Sequence, residues 1–159
     1  VQKTIWINAA DSGEKLKIGT LKLTPDGDGH KTMVELEETA FEDQFLSMRP
    51  FKCIPHPIQM ICHLAYPYEN PRRITGDDLT DLECDLLFLH KNPSSYGIDA
   101  WNGFYYELTA TDKGYTGVLR ETDLNVLQAP PKDGNLRPIK RTELHEASEK
   151  HWPRTLIIE

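Results

Sequence analysis

Apolar and polar residues alternate with period two through much of the first third of the chain. In residues 15–23, Leu16 and Ile18 fall on one face and the lysines on the other. Gly19 then interrupts, and Leu21 and Leu23 resume on the opposite parity. That pattern predicts a strand with a break or bulge at Gly19. Residues 24–29, Thr-Pro-Asp-Gly-Asp-Gly, are turn chemistry, and 32–37 alternate again, so 15–37 predicts a hairpin. The β-forming run at 4–7 predicts a strand before it. Phe41, Phe45 and Met48 are spaced like one helical face, and 41–48 reads either as a helical turn or as an irregular strand.

The middle of the chain holds two apolar segments. One, 60–66, ends in a Pro-rich turn at 67–71. The other, 84–90, is nearly continuous and predicts a central strand buried on both faces. Between them, carboxylates at the start of 75–82 favour a short helix through its dipole. Residues 104–110 and 115–121 flank Thr-Asp-Lys-Gly and predict a second hairpin, with Gly114 where φ > 0 is needed. Trp101-Asn102-Gly103 reads as a tight turn before it. A Pro/Gly-rich connection at 129–135 follows. Thr142 then caps a predicted helix with Leu144, Ala147, Ser148, His151 and Trp152 on one face, ended by Pro153. A last strand is expected at 155–158. The total, about nine strands and two short helices with regular turn signals, predicts a mainly β (β-rich α+β) fold. It is expected as a single domain over 1–159, an antiparallel sandwich or partly open barrel with one or two short helices.

Composition narrows the function classes. Of 159 residues, 18 are basic and 25 acidic, a net charge of −7. This argues against a general nucleic-acid or anionic-membrane binder. The apolar content suits a soluble globular chain, and no apolar run is long enough for a transmembrane helix, so no membrane insertion is expected. The chain begins at Val1 without a recognisable signal segment. A removed signal peptide and an alternative start codon both fit.

The three cysteines bear on the compartment. If 53–62 is a hairpin whose paired residue numbers sum to 115, Cys53 faces Cys62 and the two meet the geometry of a disulfide. That pairing predicts an oxidising compartment, periplasmic or secreted, with three free thiols in a cytoplasmic protein as the alternative. Cys84 is left over and reads as a small buried hydrophobe.

Metal-like groupings do not hold up on spacing. Cys53, His56, Cys62 and His63 have the right chemistry for zinc, but Cys62 and His63 point to opposite faces of a strand. The Asp26–Asp28 turn lacks the glycine a calcium loop needs at its sixth position, where Lys31 stands. His145 and His151 are six residues apart, not the four of a metalloprotease helix. The acidic run Asp77, Asp78, Asp81, Glu83 and Asp85 reads as a solvated face. No nucleophile elbow, phosphate loop or dinucleotide fingerprint is present, and no cofactor is expected.

The richest recognition surface is aromatic. Five aromatic residues crowd into 96–106, and Tyr66 and Tyr68 add two more rings. Large, stiff, amphipathic side chains in tight loops suit recognition. The predicted binding residues are Tyr66, Tyr68, Tyr96, Trp101, Asn102 and Tyr105, against the plainer reading that such rings are core. The chain is therefore expected to be an exported binding or interaction protein for a protein, peptide or glycan. Its rivals are a small metal-dependent or acid–base hydrolase using His63, His90 or the 77–85 carboxylates, and a structural subunit assembling through an edge strand.

Overall fold

The computed structural model describes residues 1–10, 12–132 and 137–159. Positions 133–135 of the Pro/Gly-rich connection lie outside these. Twelve strands form one antiparallel sheet: β1 (Gln2–Ala9), β2 (Lys15–Asp26), β3 (Gly29–Leu36), β4 (Glu42–Leu46), β5 (Arg49–Ile54), β6 (Met60–Leu64), β7 (Arg73–Ile74), β8 (Leu87–Lys91), β9 (Gly103–Ala110), β10 (Tyr115–Thr122), β11 (His145–Glu146) and β12 (Pro153–Ile158). Among the described residues there is one α-helix, α1, which is short, at Thr80–Cys84. The strand order is β4-β5-β6-β8-β9-β10-β12-β1-β2-β3-β7, with β11 attached to β10.

This open sheet is strongly curled. Ile54 on β5 and Ile74 on β7 belong to one buried cluster, although nine strand spacings separate their strands. Laid flat, those strands would sit roughly 43 Å apart. The inner face therefore closes on a core that includes Ile5, Ile7, Phe88, Phe104, Tyr106 and Leu156. A second, smaller core lies on the outer face of β5, β6, β8 and β9, under the one-turn helix Leu124–Gln128 and neighbouring loops. Strand β8 divides the two. Phe88 joins the inner core, and Leu87 and Leu89 join the outer one. This is why its sequence is apolar at nearly every position.

The Gly19 irregularity is a bulge. Ile5 pairs with Gly19 and Trp6 with Lys17, so Ile18 is the extra residue. The parity change keeps both Ile18 and Leu21 in the inner core. The hairpins at 15–37 and 104–121 form as the alternation predicts. The ambiguous 41–48 segment takes the strand form, as β4 and the turn that follows it, while a 3-10 turn at Glu38–Ala40 precedes it.

Three expectations fail. Gly114 does not take the positive φ expected of it; the position needs glycine because a Cβ there would sit 2.0 Å from the Ile158 carbonyl oxygen. Residues 142–152 are not a helix. A 3-10 turn at Arg141–Glu143 gives way to β11, whose backbone pairs with Arg120 and Glu121 on β10. Sheet pairing claims the backbone groups a helix would need, and the chain then reaches the buried Ala147, His151 and Trp152 as a loop. The 77–85 run is also not a solvated face. Asp81, Glu83 and Asp85 are buried and paired with Arg137, Arg141 and Arg72 respectively. The arginines arrive from distant segments, which local charge patterning cannot register.

Candidate functional site

The disulfide forms at the register the numbering requires. Lys52 pairs with His63, Cys53 with Cys62 and Ile54 with Ile61. Cys53 and Cys62 are bridged, with their Cα atoms 3.9 Å apart, and Cys84 is free and buried. The bridge uses both thiols, so the Cys53/His56/Cys62/His63 zinc arrangement does not exist. Burial raises the Cys84 thiol to about 12, and Asp81, Glu83 and Asp85 add to the shift. It is an inert core thiol, not a nucleophile.

A groove of about 610 Å³ opens on the outer face of the sheet. Phe51 of β5, Leu64 of β6 and Leu89 of β8 form its floor, together with Leu124 and Leu127 of the covering turn. That turn packs close because β9 begins at Gly103, where a Cβ would sit 2.4 Å from the Thr122 carbonyl oxygen and 2.5 Å from the Leu124 side chain. Pro67, Tyr68, Ile98 and Ala100 wall the groove. The loops singled out for their aromatic rings therefore do meet. The hairpin turn between β4 and β5 locks one rim. Ser47 and Met48 have φ of 48° and 67°, a conformation usually given to Asn-Gly. The Ser47 hydroxyl accepts from the Ile98 N–H at 3.1 Å and donates to the Ile98 carbonyl at 3.2 Å.

The predicted binding residues divide by position. Tyr68 lines the groove and donates its hydroxyl to the Leu127 carbonyl. Tyr66 is buried behind it, edge-on to Tyr68, and burial raises its hydroxyl to about 12. Tyr96 and Trp101 stand in solvent at 97% and 66% exposure. The Asn102 backbone N–H donates to the Asp99 carbonyl and closes the turn, while its own carbonyl accepts from the His90 N–H on β8. Tyr105 is core. Its hydroxyl donates to Glu83 at 2.6 Å, while Glu83 also accepts from the Leu108 N–H and from Arg141, each at 2.7 Å.

Sequence reasoning did not single out Arg49. It stands exposed at the mouth of the groove, 5.6 Å from the centre of the Phe51 ring. Among the described residues it has no carboxylate partner. Three other arginines are each bound to buried acids.

A second grouping lies at one end of the inner core. His90 ends the apolar stretch of β8, Glu121 lies near the end of β10, and His151 precedes β12. Their donor atoms all lie within 4.8 Å of one another. His151 is 1% exposed, with Nε2 at 2.9 Å from Glu121 Oε1 and Nδ1 at 3.1 Å from Gln59 Oε1. The other Glu121 oxygen accepts from the Ser148 N–H at 2.8 Å. Burial opposes the charge on Glu121, but Ser148 and His151 outweigh it and hold the carboxyl below its usual range. Burial pushes His90 down to about 4, with His151 adding to the shift. Of these three, the sequence pointed only to His90 as a contributor to chemistry; His151 was set against a metalloprotease helix alone, and Glu121 carried no signal of its own.

No protein-family model, curated protein or solved structure matches this chain.

Proposed function

We propose that this protein is a binding protein of an oxidising compartment, and that its groove takes an elongated apolar molecule bearing one anionic group. The observation that carries this reading is Arg49: a cation with no carboxylate partner among the described residues, at the mouth of a cleft of about 610 Å³ whose floor is leucine and phenylalanine. Small-molecule sites are concave and mostly apolar, with a few polar groups that fix orientation. A guanidinium is suited to grip a carboxylate through two parallel hydrogen bonds. Export is supported by the Cys53–Cys62 bridge, since such bonds persist where thiols are not continually reduced.

The test is a fluorescence titration with a dansyl-labelled medium-chain fatty acid. Saturable one-site binding is expected, weakened about tenfold in Arg49→Gln, as loss of a charge-assisted contact implies. The matching fatty alcohol should bind the wild type about as weakly as the acid binds that variant. Equal affinity for acid and alcohol would remove the role given to Arg49.

A further inference from the structure

We propose that His90, Glu121 and His151 form a zinc site that is separate from the groove. The residues supply two imidazoles and one carboxylate, the donor types zinc accepts, and three protein ligands leave a fourth position open. The site lies on the other side of β8 from the groove: Leu89 is part of the groove floor, and its neighbour His90 points the opposite way.

Three observations go beyond the presence of suitable side chains. First, the supporting contacts are those of a ligand set. A metal-binding histidine commonly donates its second ring nitrogen to an oxygen, and Gln59 Oε1 stands at His151 Nδ1. A ligating carboxylate is itself usually held by a donor, and the Ser148 N–H holds Glu121. Second, Gln59 is fixed from behind, because the Trp152 indole N–H donates to its backbone carbonyl at 2.9 Å. Third, the His90 side chain makes no hydrogen bond to any described residue. Its ring packs against Phe104 at 4.5 Å and His151 at 4.8 Å, and among the described residues neither ring nitrogen has a protein partner. Histidine placed only to fill space beside a glutamate would more economically bond to it.

The geometry asks for little movement. Tetrahedral zinc with bonds of about 2.0–2.1 Å sets its donor atoms roughly 3.4 Å apart. Glu121 and His151 are already closer than that, at 2.9 Å. Zinc entering between them displaces the shared proton, and a rotation of the His90 side chain closes the remaining gap, at most about 1.4 Å.

The experiment uses the full chain with its disulfide intact. Protein stripped with chelator and dialysed against zinc should retain one equivalent by elemental analysis. Cobalt should give the intense visible bands of a tetrahedral site. His90→Ala and Glu121→Gln are the informative variants, because both residues are only half-buried; His151→Ala risks unfolding the core. Each should lose stoichiometric zinc while keeping the wild-type melting temperature in chelator. Gln59→Leu should weaken zinc by about 10- to 100-fold, the usual effect of removing a supporting contact. His30→Ala, on a remote exposed histidine, should change nothing. A wild-type chain that retains no zinc overturns the proposal. So does uptake that survives both His90→Ala and Glu121→Gln.

Discussion

The two faces of β8 are buried to different purposes. On the inner side, Phe88 is fully enclosed by aromatic and aliphatic neighbours, with Tyr106 edge-on at 6.1 Å. On the outer side, Leu89 is also shielded from solvent, yet it borders a cleft that the protein's own side chains leave unfilled. Interiors normally pack to crystal-like density, so a fold that fills one face of a strand and leaves space over the other has room there for something else. The same contrast holds among the arginines. Arg72, Arg137 and Arg141 pair with buried carboxylates, whereas Arg49 faces the cleft with no carboxylate partner among the described residues.

Truncations on the two faces should therefore differ. Phe88→Ala opens a closed void and should cost about 3–5 kcal/mol by urea denaturation. Leu89→Ala enlarges a space that is already open and should cost no more than about 2 kcal/mol, the low end for such truncations. Equal losses would mean that the outer face is packed as tightly as the inner.

Glu83→Ala belongs with the large effects. It strands the buried Tyr105 hydroxyl and Leu108 N–H and unpairs Arg141, at a cost of about 3 kcal/mol or more. Reduction of Cys53–Cys62, which closes a short loop on β5 and β6, should cost about 2–3 kcal/mol, read as the difference between unfolding curves with and without reductant. A smaller effect is expected from His63, which is largely buried with Nε2 at 2.9 Å from the Asp85 carbonyl oxygen. Burial holds it below its ordinary 6.5, with the Asp85 carbonyl and charge pulling partly back. The unfolded chain therefore takes up a proton at this position before the folded chain does. The associated stability is complete above about pH 6.5 and is lost as pH falls through the lower folded value. His63→Gln should shallow the fall in melting temperature below pH 6.5, and parallel wild-type and variant curves would contradict this.

Legibility followed range. The hairpins, the Gly19 bulge and the two-faced burial of β8 were all readable because alternation and turn chemistry are local. The Cys53–Cys62 pairing was readable because a hairpin register is arithmetic. The meeting of the Tyr68 and Ile98–Ala100 loops depends on how distant segments assemble, which local pattern does not show. Tyr105 and Tyr66, taken for recognition, turned out to lie in the core, since an aromatic run reads the same either way. The polar clusters were beyond reach. Asp81 and Glu83 find arginines 56 and 58 residues away, Asp85 finds Arg72 across a turn 13 residues back, and Glu121 meets His151 only because β10, β11 and β12 assemble around them. The helix expected at 142–152 failed for a related reason. Apolar residues three and four apart mark a helical face, but a loop pinned by β11 at one end and Trp152 at the other buries Ala147, His151 and Trp152 while leaving Ser148 exposed.

The groove is the centre of this account, and Ala100→Trp tests it most directly. Ala100 is a half-buried wall residue, and an indole there should occupy the cleft without opening the core. Titrated with the labelled fatty acid, the wild type should give a saturable one-site curve. The variant should give none, with its melting temperature unchanged. A wild type that does not saturate, or a folded variant with the wild-type curve, would contradict the assignment of this groove as the binding site.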